Sequence, residues 1–225
     1  MSNPHVLAVA APTRPALAPF TDYAGLNALF RGKTPEEIIA GTLELTRTPI
    51  VTTNFRPMSA VFLHLITRLK PDIPVLWVDS GYNTPSTYAF AAALTKQLNL
   101  NLHVYTPRVT VARRAAIHGG IPPLDTPEHE AFTREVKLEP FERALTELAP
   151  DAWFTGIRRG QTEYRASLDV ASRAAKGTLR IAPLLYWTEV DLEDYLYEHQ
   201  LPDNPDYVDP TKGPENRECG LQTLR

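Results

Sequence analysis

Pro49-Ile50-Val51-Thr52-Thr53-Asn54-Phe55-Arg56-Pro57-Met58-Ser59, continued by the apolar run Ala60 to Leu69 and then by Val75-Leu76-Trp77-Val78-Asp79, decides the fold. The first five residues are apolar or β-branched and read as a buried strand. The apolar-rich run after Ser59 predicts a helix over 60–69, and Val75 to Val78 predicts a second strand that ends at Asp79. Strand, helix and strand in about 30 residues make a parallel crossover unit.

Outward from that unit the same alternation continues. Thr34-Pro35-Glu36-Glu37 supplies a cap, a proline at the first helical position and a carboxylate three residues after the cap, so a helix is predicted from there to about Leu45. Thr84-Pro85 opens another helix, to about Leu98, and Leu102 to Tyr105 is a third strand. Beyond a middle stretch without a clear period, Glu139 to Leu148 reads as helix, and Ala152 to Thr155 and Leu179 to Ile181 as strands. Thr188 caps a last helix that ends near Gln200. With 225 residues, 43% of them hydrophobic, and no internal repeat or long linker, one core is expected. These elements imply an α/β protein with a doubly wound, mostly parallel sheet, whose ligands sit beyond the carboxyl ends of the strands. The domain is expected over 21–205, after a flexible arm at 1–20 and before a mobile tail at 206–225.

Charge and composition narrow the function. A formal charge of -3 offers no overall basic field for nucleic acid or for an anionic membrane, so any bound anion must be captured locally. No apolar run approaches the roughly 20 residues that span a bilayer. The alanine- and proline-rich start lacks the basic segment and continuous apolar core of a secretory signal, and the expectation is a cytoplasmic chain.

The strand ends are where chemistry is expected. Thr52, Thr53, Asn54, Arg56 and Ser59 form a strand-to-helix turn whose hydroxyls and free amides suit phosphate or sulfate, although Ser and Thr there are often only caps. At Asp79-Ser80-Gly81 polar groups follow a hydrophobic strand. Asp79 could meet a ribose or adenine edge, or could merely satisfy loop amides. Thr155-Gly156-Ile157-Arg158-Arg159-Gly160-Gln161 follows another strand directly, and residues 156–180 hold six Lys or Arg against two acids. Arginine forks match phosphate and sulfate oxygens, so Arg158 and Arg159 point to anion binding, with Gln161 and Arg165 as secondary contacts.

One cysteine, Cys219, lies in Asn216-Arg217-Glu218-Cys219-Gly220-Leu221-Gln222. A lone thiol can make neither an internal disulfide nor a cysteine metal cage, so any chemistry it does is that of a single nucleophile or redox centre. His64 lies on an apolar helix and reads as packed or partly exposed rather than catalytic. His103, His118, His129 and His199 lack metal-site spacing, and Trp77, Trp153 and Trp187 read as core or pocket wall.

Five blocks together resemble the sulfonucleotide reductases, also called phosphoadenylyl sulfate (PAPS) reductases. Thr52 to Leu65 is similar to the family's modified pyrophosphate loop, and Val75 to Tyr88 to its strand-aspartate-glycine-tyrosine segment. Lys137-Leu138-Glu139-Pro140 with Arg143-Ala144-Leu145 resembles a helix of the family. Thr155 to Leu168 resembles its double-arginine signature, and Arg217 to Leu221 its Glu-Cys-Gly-Leu signature. The resemblance implies an adenine nucleotide alpha-hydrolase-like (PP-loop) fold, with PAPS or adenylyl sulfate (APS) bound by the loop and the arginines. It also implies attack by Cys219 on the sulfate sulfur, and release of sulfite from the resulting S-sulfocysteine by thioredoxin or glutaredoxin. Relatives are commonly homodimers, and Tyr186-Trp187 would line the adenine site.

Reductases with an iron-sulfur cluster carry paired cysteines that this chain lacks, so a cysteine-ligated cluster is excluded within one chain; cluster-free members of the family usually use PAPS, and the resemblance therefore implies PAPS rather than APS. The chain also departs from the pattern. It has Arg56-Pro57 where a glycine is usual, Gln222 in place of histidine, and a shorter segment before the cysteine. Two rivals follow from the same residues. One is a nucleotidyl or sulfur transferase of the PP-loop type, which would need glycines and an aspartate where Phe55, Arg56 and Met58 stand. The other is a catalytically silent sulfonucleotide-binding protein.

Overall fold

Thr34 caps the helix that its sequence predicts: its hydroxyl accepts from Glu37 N at 3.2 Å while Glu37 Oε2 accepts from Thr34 N at 2.8 Å. In the computed structural model, which describes residues 21–174 and 177–212, that helix is α2 (Pro35–Leu45), preceded by α1 (Tyr23–Phe30). Then come β1 (Pro49–Thr53), α3 (Ser59–Leu69), β2 (Pro74–Val78), α4 (Pro85–Gln97) and β3 (Asn101–Tyr105). The expected arm at 1–20, Lys176, and the part of the expected tail that carries Cys219 and Gln222 lie outside the described residues.

The middle stretch that showed no period is helical in short pieces: α5 (Val111–His118), α6 (Pro127–Thr133) and a five-residue π-helix, Arg134–Leu138. The π-turn runs straight into α7 (Glu139–Leu148), so side-chain phase slips between the two and no single 3.6-residue pattern covers both. β4 (Ala152–Phe154) is followed by a 3-10 turn at Arg159–Gln161, α8 (Glu163–Ala166), β5 (Ala171–Arg173), β6 (Leu179–Ile181) and α9 (Glu189–Glu198). Three-residue β5 carries too little pattern to be read from sequence. Its edge is covered by α1, where the Asn27 amide both donates to Ala171 O and accepts from Ala171 N, each at 2.8 Å.

The six strands lie in the order β3-β2-β1-β4-β6-β5, all parallel except β5, which runs antiparallel to β6. Successive residues face opposite sides. Ile50, Leu76 and Trp153 pack against Phe141, Ala144 and Leu145 of α7. On the other face Val51, Val75, Trp77 and Phe154 join residues of α1, α2, α3, α4 and α9 in the larger core. From β1 the chain crosses outward to β2 and β3, then returns past β1 to β4 on its other side. The direction of winding therefore reverses between β1 and β4, and a crevice opens at their carboxyl ends.

Candidate active site

The β1-to-α3 turn forms one wall of that crevice. Two non-glycine residues take positive φ there, Phe55 at 51° and Met58 at 64°, which is costly for L-residues and concentrated at functional turns. Phe55 is held because its ring is fully buried, edge-on to Trp77 at 5.0 Å and to Phe90 at 6.3 Å. Because Met58 is the left-handed cap, the helix starts at Ser59, one residue before the expected Ala60, and no side chain caps its amides. Ser59 Oγ instead turns back to donate to Arg56 O at 2.7 Å. The positive end of α3 thus faces the crevice along with Pro57, Met58 and Ser59.

The β4 end forms the opposite wall. Gly156 is required there by close approach, since a Cβ at that position would stand 3.1 Å from the Phe62 ring on α3. Arg158 follows, its backbone N donating to Gln161 Oε1 at 3.0 Å and its Nη2 3.6 Å from Glu189 Oε1. The Arg158 Nε is buried and makes no hydrogen bond among the described residues. Gln161 Oε1 also accepts from Arg165 Nη1, so the glutamine fixes both arginines. Arg159 donates to Ala166 O at 2.8 Å and lies over the Tyr186 ring at 5.3 Å, facing an outer trough of about 780 Å³.

A third wall was not read from the sequence. After α9 the chain crosses the front of the crevice as a strap, 201–212, pinned along its length. Met58 N donates to Asp203 Oδ1 at 2.6 Å, and Asn204, 1% exposed, donates to Phe55 O at 2.8 Å and Thr87 Oγ1 at 3.0 Å. Asp206 O accepts from Thr84 Oγ1, and Asn54 Nδ2 donates to Tyr207 Oη at 2.7 Å. Finally Asp209 meets Lys137 Nζ at 2.5 Å, with Thr211 Oγ1 3.1 Å from the same ammonium. Burial raises the Asp209 carboxyl's pKa, but the Lys137 charge and hydrogen bonds from Lys137 and Thr211 outweigh it and hold the group below the usual carboxylate range. Residues 206–212, placed in the tail by the sequence reading, are therefore tied to the domain.

Of the expected site residues, Thr52, Thr53, Asn54, Arg56, Ser59, Arg158 and Arg165 line one inner chamber, and Arg159 and Gln161 line the trough continuous with it. Asp79, Ser80 and Gly81 line neither part. Asp79 Oδ1 is engaged by Gly81 N at 2.9 Å, Asn83 Nδ2 at 2.8 Å and Tyr88 Oη at 2.8 Å. Sequence reasoning missed Lys137, Asp209 and Lys212 as lining residues. Lys137 lies on a stretch without helical phase, and nothing local marks the other two. Six cationic side chains against two carboxylates line the combined cleft, in a chain whose net charge is -3. Such a concentration in a partly buried crevice suits a multiply charged anion.

The phosphoadenosine phosphosulfate reductase domain model matches residues 48–209. Proteins named phosphoadenosine 5'-phosphosulfate reductase from Xylella fastidiosa (strain M12) and from a Synechococcus strain are each 38% identical to this chain. The first match spans 85% of this chain and 81% of the relative, the second 85% and 82%. The crystal structure of a PAPS reductase from Candida auris, a phosphate complex, superposes with a TM-score of 0.71 at 25% identity, covering 81% of this chain and 87% of that one. A Candida glabrata FMN adenylyltransferase, at TM-score 0.56 and 16% identity over 85% of this chain and 62% of that one, shares the fold alone. The chain belongs to the phosphoadenosine phosphosulfate reductase family, and is an oxidoreductase of sulfonucleotide reduction.

Proposed function

We propose that this chain reduces 3'-phosphoadenylyl sulfate to sulfite and adenosine 3',5'-bisphosphate through an S-sulfocysteine on Cys219, with thioredoxin or glutaredoxin as reductant. The observation that carries the reading is the grouping of Arg56, Lys137, Arg158, Arg165 and Lys212 around one cleft at the winding reversal of the sheet. The names of the relatives support PAPS as substrate. The single cysteine supports a cluster-free route, since four cysteine ligands cannot come from one chain.

In the proposed step the Cys219 thiolate attacks the sulfate sulfur and forms an S–S bond. The bond between that sulfur and the phosphate oxygen breaks, its electron pair leaving with adenosine 3',5'-bisphosphate. A thiolate of the dithiol partner then attacks Cys219 Sγ, releasing sulfite and leaving a mixed disulfide, which the partner's second thiol resolves. Two electrons pass from the dithiol to sulfur. The residues of the cleft neutralise the phosphosulfate, favour a thiolate over a thiol, and stabilise charge gathering on the leaving phosphate. Lys212 is the last described residue, and Cys219 lies seven positions further on, at most about 25 Å of extended chain.

The test is sulfite release from PAPS with thioredoxin and a dithiol, together with intact mass after PAPS alone. Wild type should release sulfite and carry a sulfite-sized adduct that Cys219→Ser lacks. PAPS binding without adduct, and with sulfite no greater than for Cys219→Ser, would leave a silent sulfonucleotide-binding protein instead.

A further inference from the structure

Trp153 and Thr52 meet across the sheet at the wall of the inner chamber. In the β1–β4 register Ile50 stands opposite Trp153, and Thr52, two residues further along β1, is on the same face. The indole is 2% exposed and packed against Phe141 with 5.1 Å between ring centroids, so its N–H has one direction. Trp153 Nε1 donates to Thr52 Oγ1 at 2.8 Å. An indole nitrogen can only donate, so the threonine oxygen must accept here and its own hydrogen is turned elsewhere. No described residue accepts that hydrogen, and Thr52 is half-buried and lines the chamber together with Arg56, Lys137 and Arg158. The other two hydroxyls of the turn are held differently. Ser59 Oγ commits its hydrogen to Arg56 O at 2.7 Å, and Thr53 Oγ1 accepts from the nearby Phe55 N at 3.1 Å. Of these three, Thr52 is the one oriented by a side chain from another strand.

We infer that Trp153 is a positioning residue for the nucleotide: by donating to Thr52 Oγ1 it presets that hydroxyl as a hydrogen-bond donor to an acceptor atom of the bound molecule. This rests on the reading of the cleft as the nucleotide site, and not on the role of Cys219. A hydroxyl left to itself has three staggered wells and can either donate or accept. The indole closes the well that faces it, and it polarises the O–H so that a second bond in the same chain is stronger. A preset donor suits a chamber whose cations call for a ligand rich in acceptors. A phosphate or sulfate oxygen, or a ring nitrogen of the base, carries no hydrogen that would oppose it. The same arrangement disfavours any ligand group that must itself donate at this point.

The experiment compares wild type with Trp153→Phe, Thr52→Val, Thr52→Ser and a variant carrying both Trp153→Phe and Thr52→Val. Affinity for adenosine 3',5'-bisphosphate is measured by calorimetry and folding by thermal melt. The indole N–H resonances are followed by proton–nitrogen correlation NMR, with that of Trp153 identified by its loss in Trp153→Phe. Thr52→Val should bind at least about fivefold more weakly, with Thr52→Ser restoring most of the loss. Trp153→Phe, which keeps an aromatic ring and deletes the N–H, should bind about three- to tenfold more weakly. Added to Thr52→Val, where no hydroxyl remains to be preset, it should change affinity by less than about twofold. In wild type the bisphosphate should move the Trp153 indole resonance, and in Thr52→Val at saturating bisphosphate it should not. Titration with inorganic phosphate and with adenosine tells the two kinds of acceptor apart, since the first moves the resonance where Thr52 meets an anionic oxygen and the second where it meets the base. Unchanged affinity in folded Trp153→Phe, additive losses in the double variant, no indole shift in wild type, or a shift that persists in Thr52→Val overturns the inference. Should Trp153→Phe melt below the assay temperature, the indole resonances of wild type and Thr52→Val carry the test alone. A wild type that binds no bisphosphate is the separate failure of the nucleotide-site reading, and the inference falls with it.

Discussion

Replacing Phe55 is the sharpest test of how the fold makes the phosphate-facing turn. The ring is 0% exposed and edge-on to Trp77 and Phe90, on a backbone held at φ 51°. Truncation of such a phenylalanine to alanine costs about 3–5 kcal/mol in lost transfer energy, cavity and aromatic contacts. For a domain of this size that is a fall of about 6–20 °C in Tm. Backbone conformation adds a second, independent signature. Alanine in the left-handed region costs about 1–2 kcal/mol that glycine does not incur. Glycine's greater unfolded-state freedom returns about 0.4–1 kcal/mol of that. Phe55→Gly should therefore equal or exceed Phe55→Ala in stability by up to about 1.6 kcal/mol, inverting the usual order in which glycine is worse by about 0.5–1 kcal/mol. Urea unfolding with matched slopes gives both numbers, and nucleotide affinity should fall with stability because Phe55 O is also where Asn204 anchors the strap. A Phe55→Ala loss below about 1 kcal/mol, or a glycine variant clearly weaker than the alanine one, refutes the account of the turn.

Three further outcomes follow from other contacts. Arg158→Met, which deletes a guanidinium whose buried Nε has no hydrogen-bond partner among the described residues, should weaken adenosine 3',5'-bisphosphate binding about 10- to 100-fold with little change in Tm. Calorimetry and a melt check both halves. Asn204→Leu leaves Phe55 O and the hydroxyls of Ser86 and Thr87 without their shared partner, and should cost about 2–4 kcal/mol in denaturant titration. Burial, then the charges of His199 and Arg68, hold the His64 imidazole below its usual pKa, so the unfolded chain takes up this proton at higher pH than the native one. The contribution of His64 is then fully present above about pH 6.5 and declines as pH falls below it. His64→Gln should shrink the drop in Tm between pH 7.5 and 5.5, and an unchanged drop would show that other groups set it.

The sheet was legible because each strand outside the edge announces itself locally. Pro49 to Thr53 and Val75 to Val78 are apolar runs between capped helices, and Thr34, Thr84 and Thr188 all accept from the amide three residues on, as their sequences imply. What was not legible is whatever depends on chain segments meeting across the fold. Asn27 completes an edge strand 144 residues away, and Asp203 to Thr211 find their partners on the β1-to-α3 turn, at the start of α4 and on the π-helix. The same limit applies to the site. Arg158 and Arg165 could be singled out because they crowd one strand end. Lys137 could not, since it lies on a π-turn, whose side-chain phase no 3.6-residue pattern carries.

That division explains the arrangement of charge. A net charge of -3 spread over the surface coexists with a cleft holding six cations against two carboxylates only because several elements deliver those cations to one point. Arg56 arrives on the β1 turn, Arg158, Arg159 and Arg165 on the segment after β4, Lys137 on the π-helix and Lys212 on the strap. Mutual repulsion would open such a cluster, and the contacts that oppose it are neutral or short-ranged: Gln161 between two arginines, Asn204 beneath the turn, Asp209 against Lys137. A bound phosphosulfate would complete the neutralisation. Ligand binding should therefore stabilise this protein beyond what surface contact alone supplies, because it also relieves a strain of like charges that the free protein carries.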